Sequence, residues 1–124
     1  MKWLSILVLA PTIALSIVAA VPFSAGGSTD ILTRIIAQRL TARVGQSVLV
    51  ENKPGANGVI GTEAVVRSPA DGYTLLMANL GPNAINAAVY SKLPYDSIKD
   101  FTPVIQVASV PYVLVVAPGL GAKS

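Results

Sequence analysis

The residues best suited to chemistry form one glycine-rich turn ahead of a helix. Gly26 and Gly27 are followed by Ser28, Thr29 and Asp30, residue types that cap a helix N-terminus and complement its positive end. A helix that begins there directs unpaired backbone N–H groups across the turn. Because glycine has no side chain, a ligand can approach this backbone closely. The turn is a candidate anion site, although many strand-to-helix turns of this kind bind nothing.

The rest of the chain offers little for catalysis. Histidine and cysteine are absent, which removes the commonest general base, the commonest transition-metal ligand and all disulfides. The sequence has no P-loop spacing, Gly-x-Ser-x-Gly elbow or metal-ligand cluster, so we expect no metal, no cofactor and no catalysis. A net charge of +3 without a basic run gives nucleic-acid binding little support. Each aspartate that could join an acid–base pair lies where a cap or a turn explains it: Asp30, Asp71, Asp96 and Asp100.

The helix after the glycine turn is predicted to run from Ser28 to Val44, with Gly45 ending it. Arginines and a glutamine occupy much of one face. Apolar residues recur at helical spacing on the other, which we expect to be buried: Ile31, Leu32, Ile35, Ile36, Leu40 and Val44.

Further strands and helices alternate along the chain. Strands are predicted at 47–50, 73–77, 104–110 and 112–117, and helices at 59–67, with Ile60 inward, and at 84–90, with Ile85 and Val89 inward. This alternation predicts an α/β fold with a mainly parallel sheet and flanking helices. Ligands of such sheets bind beyond the carboxyl ends of the strands, which places the loops 23–29, 53–58 and 79–83 on one side.

The first twenty residues resemble an export signal. A positive start is followed by an uncharged stretch that ends in the small residues Val18-Ala19-Ala20. We therefore interpret residues 1–20 as a signal peptide and 21–124 as the folded part, with an uncleaved membrane anchor as the alternative. Cleavage after Ala20 would leave only Val21 to Phe23 for a first strand. Alternatively, the strand is Ile17 to Phe23 itself.

Four motifs in order identify a family resemblance. They are Pro-Phe-x-x-Gly-Gly-x-x-Asp at 22–30, Glu-Asn-Lys-Pro-Gly-Ala-Asn-Gly at 51–58, Asp-Gly-Tyr-Thr-Leu-Leu at 71–76 and Leu-Pro-Tyr-Asp at 93–96. Their order and spacing resemble the Bug-type receptors, periplasmic solute-binding proteins of tripartite tricarboxylate transporters. Those receptors are two-lobed and over twice as long. The resemblance therefore implies part of the first lobe of a periplasmic-binding-protein-like fold, with the second lobe absent.

The resemblance also implies a function. The family captures carboxylated metabolites between two lobes, using loop backbone and water, and delivers them to membrane permease subunits. It implies a periplasmic receptor that binds a small carboxylate. The loop residues expected to form the site are Phe23, Ser24, Ala25, Gly26, Gly27, Ser28, Thr29, Asn79, Gly81 and Asn83.

Lys53 is the only cation in these loops and is either a solvated side chain or a ligand contact. Two alternatives to a receptor stay open: a membrane-anchored remnant that binds nothing, and a small α/β enzyme.

Overall fold

The computed structural model describes residues 16–111, 113 and 115–117. Most of the predicted leader lies outside these residues. Its last four residues, however, are part of the folded protein, because they begin the first strand.

A parallel sheet of three strands forms the centre of the described structure. The strands are β1 (Ile17–Val21), β2 (Val48–Asn52) and β3 (Thr74–Leu76), in the order β2-β1-β3. β1 pairs on both sides, with Val18 opposite Leu49 of β2 and opposite Thr74 of β3. Val21 is completely buried, so β1 is both the central strand and the core of the sheet. The parallel α/β architecture predicted from the alternating pattern is confirmed.

Three helices connect and flank these strands. Helix α1 (Ser28–Val44) packs on β1 and β2, whereas α2 (Val59–Val66) packs on β1 and β3. A 3₁₀ turn at Ala56–Gly58 leads into α2. A π-helical turn at Gly81–Ile85 leads into the short helix α3 (Asn86–Val89).

Helix α1 ends as its sequence predicts. Gly45 has a left-handed conformation with a φ of 69°, and its N–H donates to the Thr41 carbonyl. This glycine satisfies one of the last carbonyls of the helix without the steric cost that a Cβ would bring.

The buried face of α1 differs from the face that the apolar pattern predicts. Asp30, Thr33 and Ala37 are buried, and Leu32 and Leu40 are partly buried. Residues three and seven apart share a face of a helix, so the buried residues form one stripe. Their small or hydrogen-bonded side chains hold α1 close to the sheet. The prediction of burial was therefore wrong for the residues on the neighbouring stripe, which are exposed: Ile31, Ile35, Ile36 and Val44.

Small and polar side chains also replace the predicted apolar contacts of the other two helices. The buried position 61 in α2 is a glycine. A Cβ there would lie 2.6 Å from the Lys53 carbonyl oxygen, so the position has no room for a side chain. In α3 the buried residue is Asn86. The predicted inward residues are exposed instead: Ile60, Ile85 and Val89.

The two strands predicted after residue 103 are absent from the part of that segment that the structure describes. Val104 and Ile105 are at least 80% exposed, and no backbone pairing holds this stretch to β3. A β-branched sequence favours an extended chain, but a strand is stabilised by its ladder and by burial of its side chains. Neither is available to this segment, so the prediction of strands was wrong there.

The central position of β1 bears on the predicted leader boundary. The Ile17 N–H donates to Ser47 O at 2.9 Å, and the Val18 N–H donates to Tyr73 O at 2.8 Å. A cut after Ala20 would remove four of the five residues of β1 and separate β2 from β3. The first strand therefore begins at Ile17, as the alternative from Ile17 to Phe23 predicts, but it ends two residues earlier, at Val21.

We expect residues 17–20 to be essential for folding. A shortened chain that begins at Ser16 should keep dispersed amide resonances in a ¹⁵N–¹H spectrum, whereas a chain that begins at Val21 should lose them. The reason is that two edge strands cannot form a sheet without the strand between them. Equal dispersion in the two shortened chains would contradict this role of β1.

Candidate functional site

An open cavity of about 590 Å³ lies where the three strands end. The loops after β1, β2 and β3 all contribute to its wall, as the carboxyl ends of parallel strands should. The residues that line it are Phe23, Gly27, Ser28, Thr29, Asp30, Asn57, Asn79, Leu80, Gly81 and Ile85.

The N-terminus of α1 opens into this cavity without a cap. Gly27 is the N-cap residue and has no side chain that could accept a hydrogen bond, and the first helical bond runs from the Ile31 N–H to the Gly27 carbonyl. The N–H groups of Ser28, Thr29 and Asp30 donate to no acceptor among the described residues. A helix start leaves such donors for side chains, water or a ligand to satisfy. Three consecutive residues of the cavity lining therefore have N–H groups without an acceptor among the described residues.

A buried carboxylate holds the glycine turn in place. Asp30 Oδ2 accepts from the Gly26 N–H at 2.8 Å and from Arg34 Nε at 3.0 Å, and its Oδ1 accepts from Asn52 Nδ2 at 2.9 Å. Asn52 also donates to the Phe23 carbonyl at 3.1 Å and accepts from Arg34 Nη2 at 3.0 Å. The network joins the loop after β1, the first turns of α1 and the last residue of β2.

Hydrogen bonding keeps the Asp30 carboxyl ionised. The bond from Arg34, followed by those from Gly26 and Asn52, lowers the pKa of Asp30 from 3.8 to about 2, although burial acts in the opposite direction. Donors that stabilise the charged form of a carboxyl lower its pKa. Asp30 is only 3% exposed, so a charge buried in the cavity wall is balanced by the partly exposed Arg34.

Amide side chains form the opposite wall. Asn79 Nδ2 lies 3.4 Å from Thr29 Oγ1 and so links the third loop to the start of α1. Asn83 does not line the cavity; its Oδ1 accepts from the Asn79 N–H at 3.3 Å. Asn83 therefore supports the loop that carries Asn79.

A second pair of amides fixes the middle loop. Asn57 has a left-handed backbone with a φ of 51°, and its Nδ2 donates to Asn86 Oδ1 at 2.8 Å. The Asn86 amide donates back to the Asn57 carbonyl at 3.2 Å. Asparagine tolerates this backbone conformation better than most residues. The pair ties the loop after β2 to α3.

The structure brings together six of the ten residues that the sequence predicted for the site: Phe23, Gly27, Ser28, Thr29, Asn79 and Gly81. It places the other four outside the cavity lining: Ser24, Ala25, Gly26 and Asn83. Sequence reasoning left four lining residues out of the predicted site: Asp30, Asn57, Leu80 and Ile85. Asn57 lies within the motif at 51–58 that carried the family resemblance, and its place in that motif could have indicated a site residue.

Neutral hydrogen-bond donors predominate in the cavity lining. Lys53 pairs with Glu51 at 2.9 Å and does not line the cavity. The lining therefore offers backbone N–H groups, hydroxyls and amides, and its one charged side chain is already paired with Arg34. Within the described ranges, no group of three or more aspartates or glutamates could hold a metal ion.

Known proteins identify the family. Residues 32–124 match the family described as "Tripartite tricarboxylate transporter family receptor". Protein BugT of Bordetella pertussis is 46% identical over 101 residues, which are 81% of this chain and 31% of BugT.

Solved structures share the fold as well as the sequence. MatC from Rhodopseudomonas palustris with bound malate is 36% identical, with a TM-score of 0.67 over 77% of this chain and 32% of MatC. Another R. palustris protein, solved with adipate, is 45% identical, with a TM-score of 0.68 over 77% of this chain and 31% of that one.

The chain thus spans about a third of the length of these relatives. Family match, sequence identity and shared fold all agree. This chain belongs to the tripartite tricarboxylate transporter receptor family.

Proposed function

We propose that this chain is part of an extracytoplasmic solute receptor and binds a small carboxylate at the open N-terminus of α1. The observation that carries the proposal is the cluster of three unused N–H groups at Ser28, Thr29 and Asp30, residues that line a cavity at the carboxyl ends of the strands. Backbone donors at a helix start favour a negative charge. The relatives solved with malate and adipate support a carboxylate as the ligand.

The affinity should come from several modest contacts. Each hydrogen bond to a charged group contributes about 1.5–3 kcal/mol. The Thr29 hydroxyl and the Asn79 and Asn57 amides lie around the same cavity and could add donors or bridging water. The cavity is open, however, and effective sites bury about 70–90% of a ligand's surface. We therefore expect weak binding by this chain alone.

The proposed role is capture without chemical conversion. A small carboxylate would be passed to permease subunits, so the ligand should be recovered unchanged after incubation. A remnant that binds nothing is the second candidate, and the openness of the cavity favours it. Titration of the chain with malate and adipate distinguishes the two, because a remnant would leave the amide resonances of the turn unmoved.

We further propose that the chain is exported. Its charged start and uncharged leader support this. Among the helices that the structure describes, none is both long and apolar enough to cross a bilayer.

In a Gram-negative host, the protein should appear in the periplasmic fraction with a mature N-terminus before Ile17, since β1 must survive processing. Intact-mass analysis of that fraction measures the cut. A folded product that begins at Val21 would contradict the expectation, and a membrane-bound chain that still begins at Met1 would favour the anchor.

Replacing Gly27 with valine should strongly weaken carboxylate binding while leaving the fold intact. The φ of Gly27 is −76°, and a Cβ there would meet only the Ser24 carbonyl oxygen at 3.8 Å, so the backbone tolerates a side chain. Its branches would occupy the space in front of the unused N–H groups.

The measurement is a titration of the ¹⁵N-labelled chain with malate, with Ala42→Val on an exposed position of α1 as the matched control. We expect at least a roughly tenfold loss of affinity for Gly27→Val, equivalent to about 1.4 kcal/mol, and almost none for the control. Equal affinities for both variants would exclude this turn as the anion site.

A further inference from the structure

The proposed anion site contains a negative charge of its own. Asp30 is ionised at neutral pH and lines the cavity that is proposed to receive a carboxylate. Like charges in a partly buried site repel each other, and burial weakens the screening that water would provide. An unbalanced Asp30 would therefore oppose the ligand that the neighbouring N–H groups attract.

Arg34 supplies the balancing charge from outside the cavity. Its Nε lies 3.0 Å from Asp30 Oδ2, one helical turn along α1, and its Nη2 lies 3.0 Å from Asn52 Oδ1. Arg34 does not line the cavity, and its side chain is 52% exposed. The planar guanidinium of Arg34 bonds to Asp30 and Asn52 at once, which the single ammonium group of a lysine could not reproduce.

The other groups around Asp30 carry no compensating charge. The loop from Phe23 to Gly27 is uncharged, and Gly26 and Asn52 are neutral donors. The charged residue of β2, Glu51, pairs with Lys53. Arg34 is therefore the cation in contact with Asp30 among the described residues.

We propose that Asp30 and Arg34 form a charge-balanced positioning pair. The Asp30 carboxylate holds the glycine turn through the Gly26 N–H, and Arg34 cancels its charge so that the helix start remains attractive to an anion. The inference rests on the proposed carboxylate-binding function and assigns Arg34, a residue outside the cavity, to ligand affinity. Asn52 completes the arrangement by linking both side chains to the end of β2.

A double-mutant cycle tests the charge balance. Arg34→Met should weaken malate binding about tenfold, because it leaves Asp30 uncompensated. In an Asp30→Asn background, the same Arg34 change should alter affinity less than about twofold, since no charge is left to balance. Arg34→Lys should restore part of the loss, because it keeps the positive charge but cannot bond to Asp30 and Asn52 at once. Arg39→Met, on an exposed position of the same helix, is the matched control and should have no effect.

Ligand charge separates this role from a general loss of structure. The Arg34→Met loss should be larger for the dianion malate than for the monoanion lactate, and it should shrink at high salt. Equal losses for both ligands, or an equal loss in the Asp30→Asn background, would overturn the inference. If the unaltered chain binds neither ligand, the proposed function fails, and the pair is then judged by the following ligand-free measurement.

The interaction between Asp30 and Arg34 can also be tested without a ligand, by titrating the chain with acid. The folded-state pKa of Asp30 is depressed to about 2 from 3.8, so its stabilising contribution is complete above that ordinary value and is lost as the pH falls towards 2. The Asp30 carboxyl carbon resonance should titrate near pH 2 in the unaltered chain. Arg34→Met should raise that midpoint and accelerate exchange of the Gly26 amide, whereas Arg39→Met should change neither.

If the Asp30 titration midpoint were unchanged in Arg34→Met, the positioning pair would be overturned, whether or not the chain binds a carboxylate. Asp96 requires a separate control, because hydrogen bonds from the Ile98 and Lys99 N–H groups also lower its pKa. Loss of stability in acid should therefore be reduced in Asp30→Asn but not eliminated.

Discussion

The described structure depends most on one buried carboxylate. Asp30 bonds to the glycine turn, to the second turn of α1 and, through Asn52, to the end of β2. Because these bonds come from three directions, they restrict the rotation of α1 about its axis as well as its position. On the same helix, Thr33 and Ala37 are buried and the stripe with Ile35 is exposed. Ser28 and Thr29, at the start of the helix, line the cavity.

This arrangement explains why the site can be built from neutral parts. A buried cation would attract carboxylates, but it would also need its own partner and would bind many anions. The helix start provides fixed partial charges at short range, and the amides of Asn57 and Asn79 add directional donors. The charge of Asp30 is needed for geometry, and Arg34 balances it from the exposed side. In the proposed site, positioning and recognition are thus separated between different groups.

The central strand imposes a second constraint. β1 is short, apolar and rich in alanine, so its sequence resembles the end of an export leader as well as a strand. In the fold it pairs on both sides, and Ala20 and Val21 are almost entirely buried. The proposed export and the folding of the sheet would therefore place competing demands on the same few residues. Leader patterns describe local composition, whereas strand pairing depends on residues some thirty and more than fifty positions away.

The sequence alone determined the α/β class, the limits of α1, its glycine end, the loops that meet at the cavity and the family, because these follow from local spacing and ordered motifs. Tertiary structure decided which face of α1 is buried: the face with Asp30, which bonds to Asn52 of β2, and not the apolar stripe. It also decided that Asn57 lines the cavity and that the described residues after Val104 stay unpaired. Those outcomes depend on partners distant in sequence, and a strand or a buried face exists only where such a partner is present.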